Sequence, residues 1–158
     1  MKHLFFTLFV FCTFPFFVSA QTKVSAGSTS VDVSVRRAVA EGNDVIIDLL
    51  ITSRGSWQKL IFSTSLDYPS CRLFDDEGNL YRSGDRNKMM FEIDGERFYW
   101  FPEMVVENGV PRKFRIIVKN VDKYATQFVK GYFHYYADRV DFRENEHVIT
   151  VTDLPITR

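Results

Sequence analysis

The chain of 158 residues is poor in the residue types that build sites from short motifs. It has two cysteines, Cys12 and Cys71, and lone thiols far apart in sequence do not make a disulfide framework or a C-x-x-C metal or redox pair. Its three histidines, His3, His134 and His147, show no H-E-x-x-H or H-x-H spacing, which argues against a tight transition-metal site. No glycine-rich phosphate loop is present, and RGSW (Arg54 to Trp57) is not a G-x-S-x-G nucleophile elbow. Nucleotide chemistry and serine hydrolysis of that type therefore lack their signatures. Charge of one sign is also missing: 20 basic residues face 20 acidic ones, so the chain has no overall positive field for nucleic acid. The longest apolar run, Leu4 to Val18, is interrupted by Thr7, Thr13 and Pro15 and falls short of the ~20 residues that span a bilayer.

That run is informative in another way. Lys2 precedes it, and Val18 and Ala20 stand as a V-x-A cleavage signal. Residues 1–20 read as a secretory signal peptide, cut after Ala20. The expected location is the bacterial periplasm or the exterior. Phe11 occupies the place where lipidation at Cys12 would require a small side chain. Removing the leader leaves 19 basic and 20 acidic residues and a single cysteine, Cys71. Stability must then come from packing, and Cys71, within the apolar CRLF, reads as a small buried hydrophobe.

Residues 21–30, QTKVSAGSTS, are small and polar and predict a disordered lead-in. From residue 31 to 158 the pattern has a period of two and describes a single domain. Val31, Val33 and Val35 share one face of VDVSV, and Arg36-Arg37 cannot both keep that phase, which predicts a bulge or strand end. VIIDLLIT places Val45, Ile47, Leu49 and Ile51 inward, and KFRIIVK does the same with Phe114, Ile116 and Val118. Turn residues separate about eight or nine such strands, the spacing of an all-β, immunoglobulin-like antiparallel β-sandwich. Only VDKYAT (Val121 to Thr126) and EMVVEN look briefly helical.

The order of pieces, a FDDEGNLY hairpin, then VPRKFRIIVKNV, YATQFVKGYF and a terminal HVITVTDLPI strand, resembles small exported bacterial proteins with an immunoglobulin-like (telokin-like) fold. The resemblance spans roughly residues 31 to 156 and implies a fold rather than an activity, since such proteins mostly have no assigned one.

FDDEGNLY carries three consecutive acids. An EF-hand counted from Asp75 puts Gly78 at the fourth position and Arg86 at the twelfth, which fails the pattern. A looser cation site from Asp75, Glu77 and Asn79 stands beside a plain turn with Gly78 left-handed. Adjacent acids on a hairpin tip do not make a glycosidase pair, which needs a cleft between them. Arg82, Arg86 and Lys88 read as a solvated rim.

Aromatic density is what the sequence has in excess. RFYWF would be aromatic on both faces of a strand. In FVKGYFHYY, Phe128, Lys130, Tyr132, His134 and Tyr136 share one face, with Val129, Gly131, Phe133 and Tyr135 on the other. An exposed second face would be a platform for a protein or a sugar ring; a covered one would be ordinary core. The expected function is a non-enzymatic binding or assembly module with a protein or glycan partner. Its candidate residues are Trp57, Tyr99, Trp100, Tyr132, His134 and Tyr136; no cofactor is expected, and homo-oligomerisation is left open. The alternatives are a small sugar-active or hydrolytic enzyme and a calcium-stabilised adhesion module.

Overall fold

A computed structural model describes residues 21–64, 70–85, 88–98, 101–137 and 146–158. The leader peptide expected over residues 1–20 lies outside the described residues. Twelve strands follow in order: β1 (Lys23–Ser25), β2 (Val31–Glu41), β3 (Asp44–Ser53), β4 (Gln58–Phe62), β5 (Arg72–Asp75), β6 (Leu80–Arg82), β7 (Met89–Ile93), β8 (Glu96–Phe98), β9 (Glu103–Val106), β10 (Arg112–Val118), β11 (Gln127–Ala137) and β12 (Glu146–Pro155). The all-β class is as expected, and the higher strand count comes from short edge strands such as β1, β6 and β8, too brief to show a period.

These strands make two antiparallel sheets packed as a sandwich. One has five strands in the order β2-β3-β10-β7-β8. The other has seven, in the order β1-β12-β11-β4-β9, with β5 also pairing β11 and β6 pairing β5. The long β11 is shared along its other side: its first half pairs β5 and its last three residues pair β4.

Alternation in sequence becomes burial. Val45, Ile47, Leu49 and Ile51 of β3 and Phe114, Ile116 and Val118 of β10 face the core, as do Phe62, Phe133 and Tyr135 of the larger sheet. Stacking of Phe62 on Phe114, centroids 4.0 Å apart, carries aromatic contact between the layers, and Phe114 on Phe91 at 5.4 Å continues it within the five-stranded sheet. Such pairs contribute about 0.5–1.5 kcal/mol each beyond their area. The pairing of β2 with β3 shifts register between Val35 and Arg37, the bulge that the double arginine requires. Asp94 and Gly95 both have positive φ, as a two-residue type I′ hairpin turn demands.

Three local expectations are corrected. Lys23–Ser25 is a strand rather than disordered lead-in: it pairs Thr150–Thr152 of β12, and Tyr135 donates its hydroxyl to Ala26 O at 3.0 Å. Backbone pairing to an otherwise open edge orders a segment whose side chains bury little. Glu103–Val106 is a strand, since the edge of β4 offers a ladder. Phe128 lies in the core with Gly131, Phe133 and Tyr135, because β11 bulges between Phe128 and Lys130 and changes phase there. Val121 to Thr126 is a single turn closed by Ala125 N donating to Asp122 O at 3.1 Å, and it carries the chain from the smaller sheet to the larger.

Candidate functional site: the outer face of the seven-stranded sheet

The opening of this face is set by the FDDEGNLY hairpin. Asp75 is 2% exposed, and its carboxylate accepts from Glu77 N at 3.1 Å, Asn79 N at 2.7 Å, Asn79 Nδ2 at 3.0 Å and the Tyr81 hydroxyl at 2.8 Å. Gly78 has φ 85°, the left-handed conformation that lets the chain reverse. Asp75 thus organises the turn, and Asn79 offers it a donor rather than a cation ligand. Among the described residues no group of three His, Cys, Asp or Glu side chains is placed to hold a metal ion. Asp76 ties the tip to the crossover turn through the Thr126 amide and hydroxyl. Burial pushes its carboxyl up, but hydrogen bonds from Thr126 and the Gln127 amide outweigh that and hold it below the usual range.

Hairpin register then decides which side chains leave the core. Leu73 pairs Tyr81, and both are buried, so Phe74 and Tyr81 do not sit opposite each other at the base; Phe74 pairs Leu80 on the outer side. Arg72 is directly opposite Arg82, and on its other side opposite Tyr132. Tyr132 is opposite Thr150, which is opposite Ser25. One row therefore crosses five strands as Arg82, Arg72, Tyr132, Thr150 and Ser25. The neighbouring row reads Leu80, Phe74, Lys130, Thr152 and Lys23. Arg72 and Lys130 both lie over the Tyr132 ring, 5.7 and 5.3 Å from its centroid. Neither they nor Arg82 form an ion pair with a described residue.

Next along β11, the covered alternative applies to part of the aromatic face. His134 is 8% exposed and Tyr136 is buried too, so the C-terminal half of this face is covered, while Tyr132 is half-buried. His134 Nδ1 lies 2.6 Å from Glu146 Oε1. Ser63 continues the β4 ladder, its amide donating to His134 O at 2.9 Å. The chain leaves the sheet there and re-enters at Cys71, whose Sγ donates to Ser63 O at 3.1 Å. Three polar atoms around this junction are buried without a hydrogen-bond partner: Ser63 Oγ, Arg72 Nε and His134 Nε2. Buried orphans of this kind are uncommon.

Of the other candidates, Trp57 is 64% exposed in the loop before β4, away from this patch, and Tyr99 and Trp100 lie outside the described residues. Phe98, from the same RFYWF segment, lines a groove of about 460 Å³ between the two sheets, with Ile93, Met104, Asp94, Glu103 and Arg112. Four of its charges are paired, Arg112 with Asp94 and Lys59 with Glu103, and Glu96 also lines it. Cys71 is fully buried, and burial pushes its thiol up to about 12, so it is packing rather than a nucleophile.

Arg72, Arg82 and Lys130 were not singled out by sequence reasoning, which left Arg82 on a solvated rim. The available signal was hairpin symmetry: once Gly78 is the turn and Leu73 and Tyr81 point inward, Arg72 and Arg82 must share the outer face.

The fold defines the class as a two-sheet antiparallel β-sandwich. No protein-family model and no curated protein sequence matches the chain. A solved structure described as a family 123 glycoside hydrolase from Clostridium perfringens, studied for glycolipid glycan hydrolysis, is similar at 13% identity and a TM-score of 0.40; the match covers 87% of this chain and 27% of that one.

Proposed function

We propose that the chain is an exported, non-enzymatic binding module of immunoglobulin-like type that receives a protein or glycan partner on the outer face of its seven-stranded sheet. The observation that carries this reading is Arg72 directly opposite Arg82, with Lys130 beside them and no acid among the described residues to balance them. Like charges directly opposite on a sheet destabilise it. A chain that holds them so has a use for the field they make. Tyr132 sits between Arg72 and Lys130, so the predicted aromatic residue becomes a support for cations. Export rests on Lys2, the apolar run and the V-x-A signal, and no described helix is long and apolar enough to cross a membrane. The non-enzymatic reading is supported by the groove, where Asp94 and Glu103 are each engaged in an ion pair, with Arg112 and Lys59.

The test is capture from the cell envelope with the purified chain, followed by mass spectrometry and sugar analysis of what is retained. Retention is expected to fall with Tyr132→Ala and Arg72→Gln and to persist with Trp57→Ala. Unchanged retention by the first two, with an intact fold, would overturn the assignment.

One observation favours a second reading, a small hydrolase. The His134–Glu146 pair leaves Nε2 unpartnered beside Ser63, the polarity of a general base. Turnover of p-nitrophenyl acetate that disappears in His134→Gln would support it, and background rates in the wild type would remove it.

A further inference from the structure

We infer that the partner of this face is a linear acidic polysaccharide, its carboxylates or sulfates lying across the strands over two adjacent rows, from Arg82 and Arg72 in one to Lys130 and Lys23 in the other. The inference rests on the binding-module reading and names its ligand class. Adjacent strands are ~4.8 Å apart, so the row over five strands is roughly 19 Å long. That is the reach of an oligomer rather than of one small anion. One row is cationic at Arg82 and Arg72 and its neighbour at Lys130 and Lys23, and none of the four is ion-paired to a described residue. Glu146, opposite Tyr136 farther along β11 and β12, is engaged by His134 at 2.6 Å.

A second observation points to a ligand independently of surface charge. Arg72 Nε is a buried donor with no partner, and His134 Nε2 and Ser63 Oγ stand unpartnered in the same part of the face. Arginine is always protonated, so that N–H seeks an acceptor at any physiological pH. A carboxylate or sulfate oxygen arriving over Arg72 supplies one, and charge-assisted bonds of this kind are about twice as strong as neutral ones.

The composition of the face selects among polyanions. A protein partner is usually anchored by aromatic or aliphatic side chains entering a dry interface core, but the Tyr132 ring already carries Arg72 and Lys130. Nucleic-acid bases, which stack on successive open rings, meet here a Tyr132 ring covered by cations and a half-buried Phe74. An anionic membrane would draw on a row of exposed aromatic and leucine side chains, whereas among the described residues this face offers exposed Leu80 and Val129 with half-buried Phe74 and Tyr132. Beyond Tyr132 and Lys130 the two rows continue in hydroxyls, Thr150 and Ser25 in one and Thr152 before Lys23 in the other. Cations adjoining hydroxyls match a sugar chain bearing acid groups and free hydroxyls.

Isothermal titration of the full chain is to be run with polygalacturonate, dextran sulfate, neutral dextran, poly-glutamate, a single-stranded oligonucleotide and phosphatidylglycerol vesicles. Binding to the acidic polysaccharides is expected, with none to neutral dextran and affinity falling as salt rises. Arg82→Gln, at an exposed site that does not threaten the fold, and Lys130→Gln should each weaken it by at least about threefold, and together with Arg72→Gln by more than about thirtyfold, as counterion release predicts. No polysaccharide binding, or binding that the triple variant leaves unchanged, overturns the inference. If poly-glutamate, the oligonucleotide or the vesicles bind more tightly than the polysaccharides and lose that binding in the triple variant, the sugar assignment falls while the face itself is retained as a binding surface.

Discussion

The two outer faces of the sandwich treat charge in opposite ways. On the five-stranded sheet one row reads Arg37, Asp48, Arg115, Glu92 and Arg97, a residue from each strand in register. Asp48 accepts from Arg37 Nε at 2.7 Å and Arg115 Nε at 2.8 Å, and Arg115 Nη1 donates to Glu92 Oε1 at 2.8 Å. Beside it Ile46, Ile117 and Met90 close a small apolar cluster. Every charge in the interior of that row has opposite neighbours, so the surface is electrostatically complete. The row on the seven-stranded sheet puts Arg82 against Arg72 and then Tyr132, and among the described residues neither arginine has an ion-pair partner. Sequence composition balances to zero over the chain; the fold separates a self-neutralised face from an unsatisfied one, and only the latter has something to offer a partner.

The largest expected effect lies on the complete face. Asp48 is 5% exposed, and Asp48→Asn removes the charge that two guanidiniums share and turns one of its two acceptor oxygens into a donor facing an arginine. A loss of about 2–3 kcal/mol in urea unfolding is expected, below the full cost of breaking a deeply buried pair because Arg37 is half-exposed. Burial pushes the Asp48 carboxyl up, yet the hydrogen bonds and charges of Arg115 and Arg37 outweigh this, and its pKa lies below the usual value. A group lowered in the folded state stabilises above its unfolded pKa of about 3.9 and loses that contribution as pH falls through the folded value. The gap between wild type and Asp48→Asn should therefore be full at pH 6 and narrow below pH 4. A gap that stays constant to pH 2 would show that Asp48 acts by shape alone.

A smaller effect is expected at the hairpin that holds Arg72 and Arg82 in register. Asp75→Asn replaces one acceptor oxygen by a donor facing Asn79 and the Tyr81 hydroxyl, for a loss of about 1–2 kcal/mol. Its use lies in the coupling: ligand affinity on the seven-stranded face should fall with it, whereas Asp48→Asn should leave affinity unchanged at a temperature where both fold. Native Cys71, pushed up to about 12 by burial beneath this hairpin, gives a readout. Its alkylation at pH 8 should follow global unfolding in the wild type and run ahead of it in Asp75→Asn if the hairpin opens locally.

These particular residues show how far the sequence could be read. Val45 to Ile51 and Phe114 to Val118 alternate cleanly because one face of each strand is core, so the sandwich and most of its long strands were legible. Arg36-Arg37 announced its bulge because two long cations cannot both follow an inward valine. Phe128 was assigned to the wrong face because a bulge at Val129 leaves no mark in a segment that is apolar on both sides. β1 was missed because its order comes from backbone pairing with β12, and a three-residue strand has no period. The platform of Tyr132, His134 and Tyr136 was correctly placed on one face, but whether a face is covered depends on what packs over it, and local pattern does not contain that. The unpaired cations escaped because pairing is a property of neighbours on other strands: Arg72 and Arg115 look alike in sequence and differ only in what stands opposite.

The smallest effect is also the most direct comparison of the two faces. Arg82→Glu places a carboxylate opposite Arg72 and reproduces on the larger sheet the alternation that Asp48 and Arg115 make on the smaller. Opposite charges across a strand pair contribute about 0.2–1 kcal/mol, and the like-charge repulsion is removed at the same time. The variant should therefore be slightly more stable than the wild type. Because Arg82 is exposed, the gain should shrink as salt rises through the range where the Debye length falls below ~10 Å. Affinity for acidic polysaccharide should drop in the same variant. A protein that gains stability when its binding row is neutralised holds those cations apart for a partner, whereas a variant that melts lower at every salt concentration would mean that Arg82 already has a structural counterpart and that the two faces are alike after all.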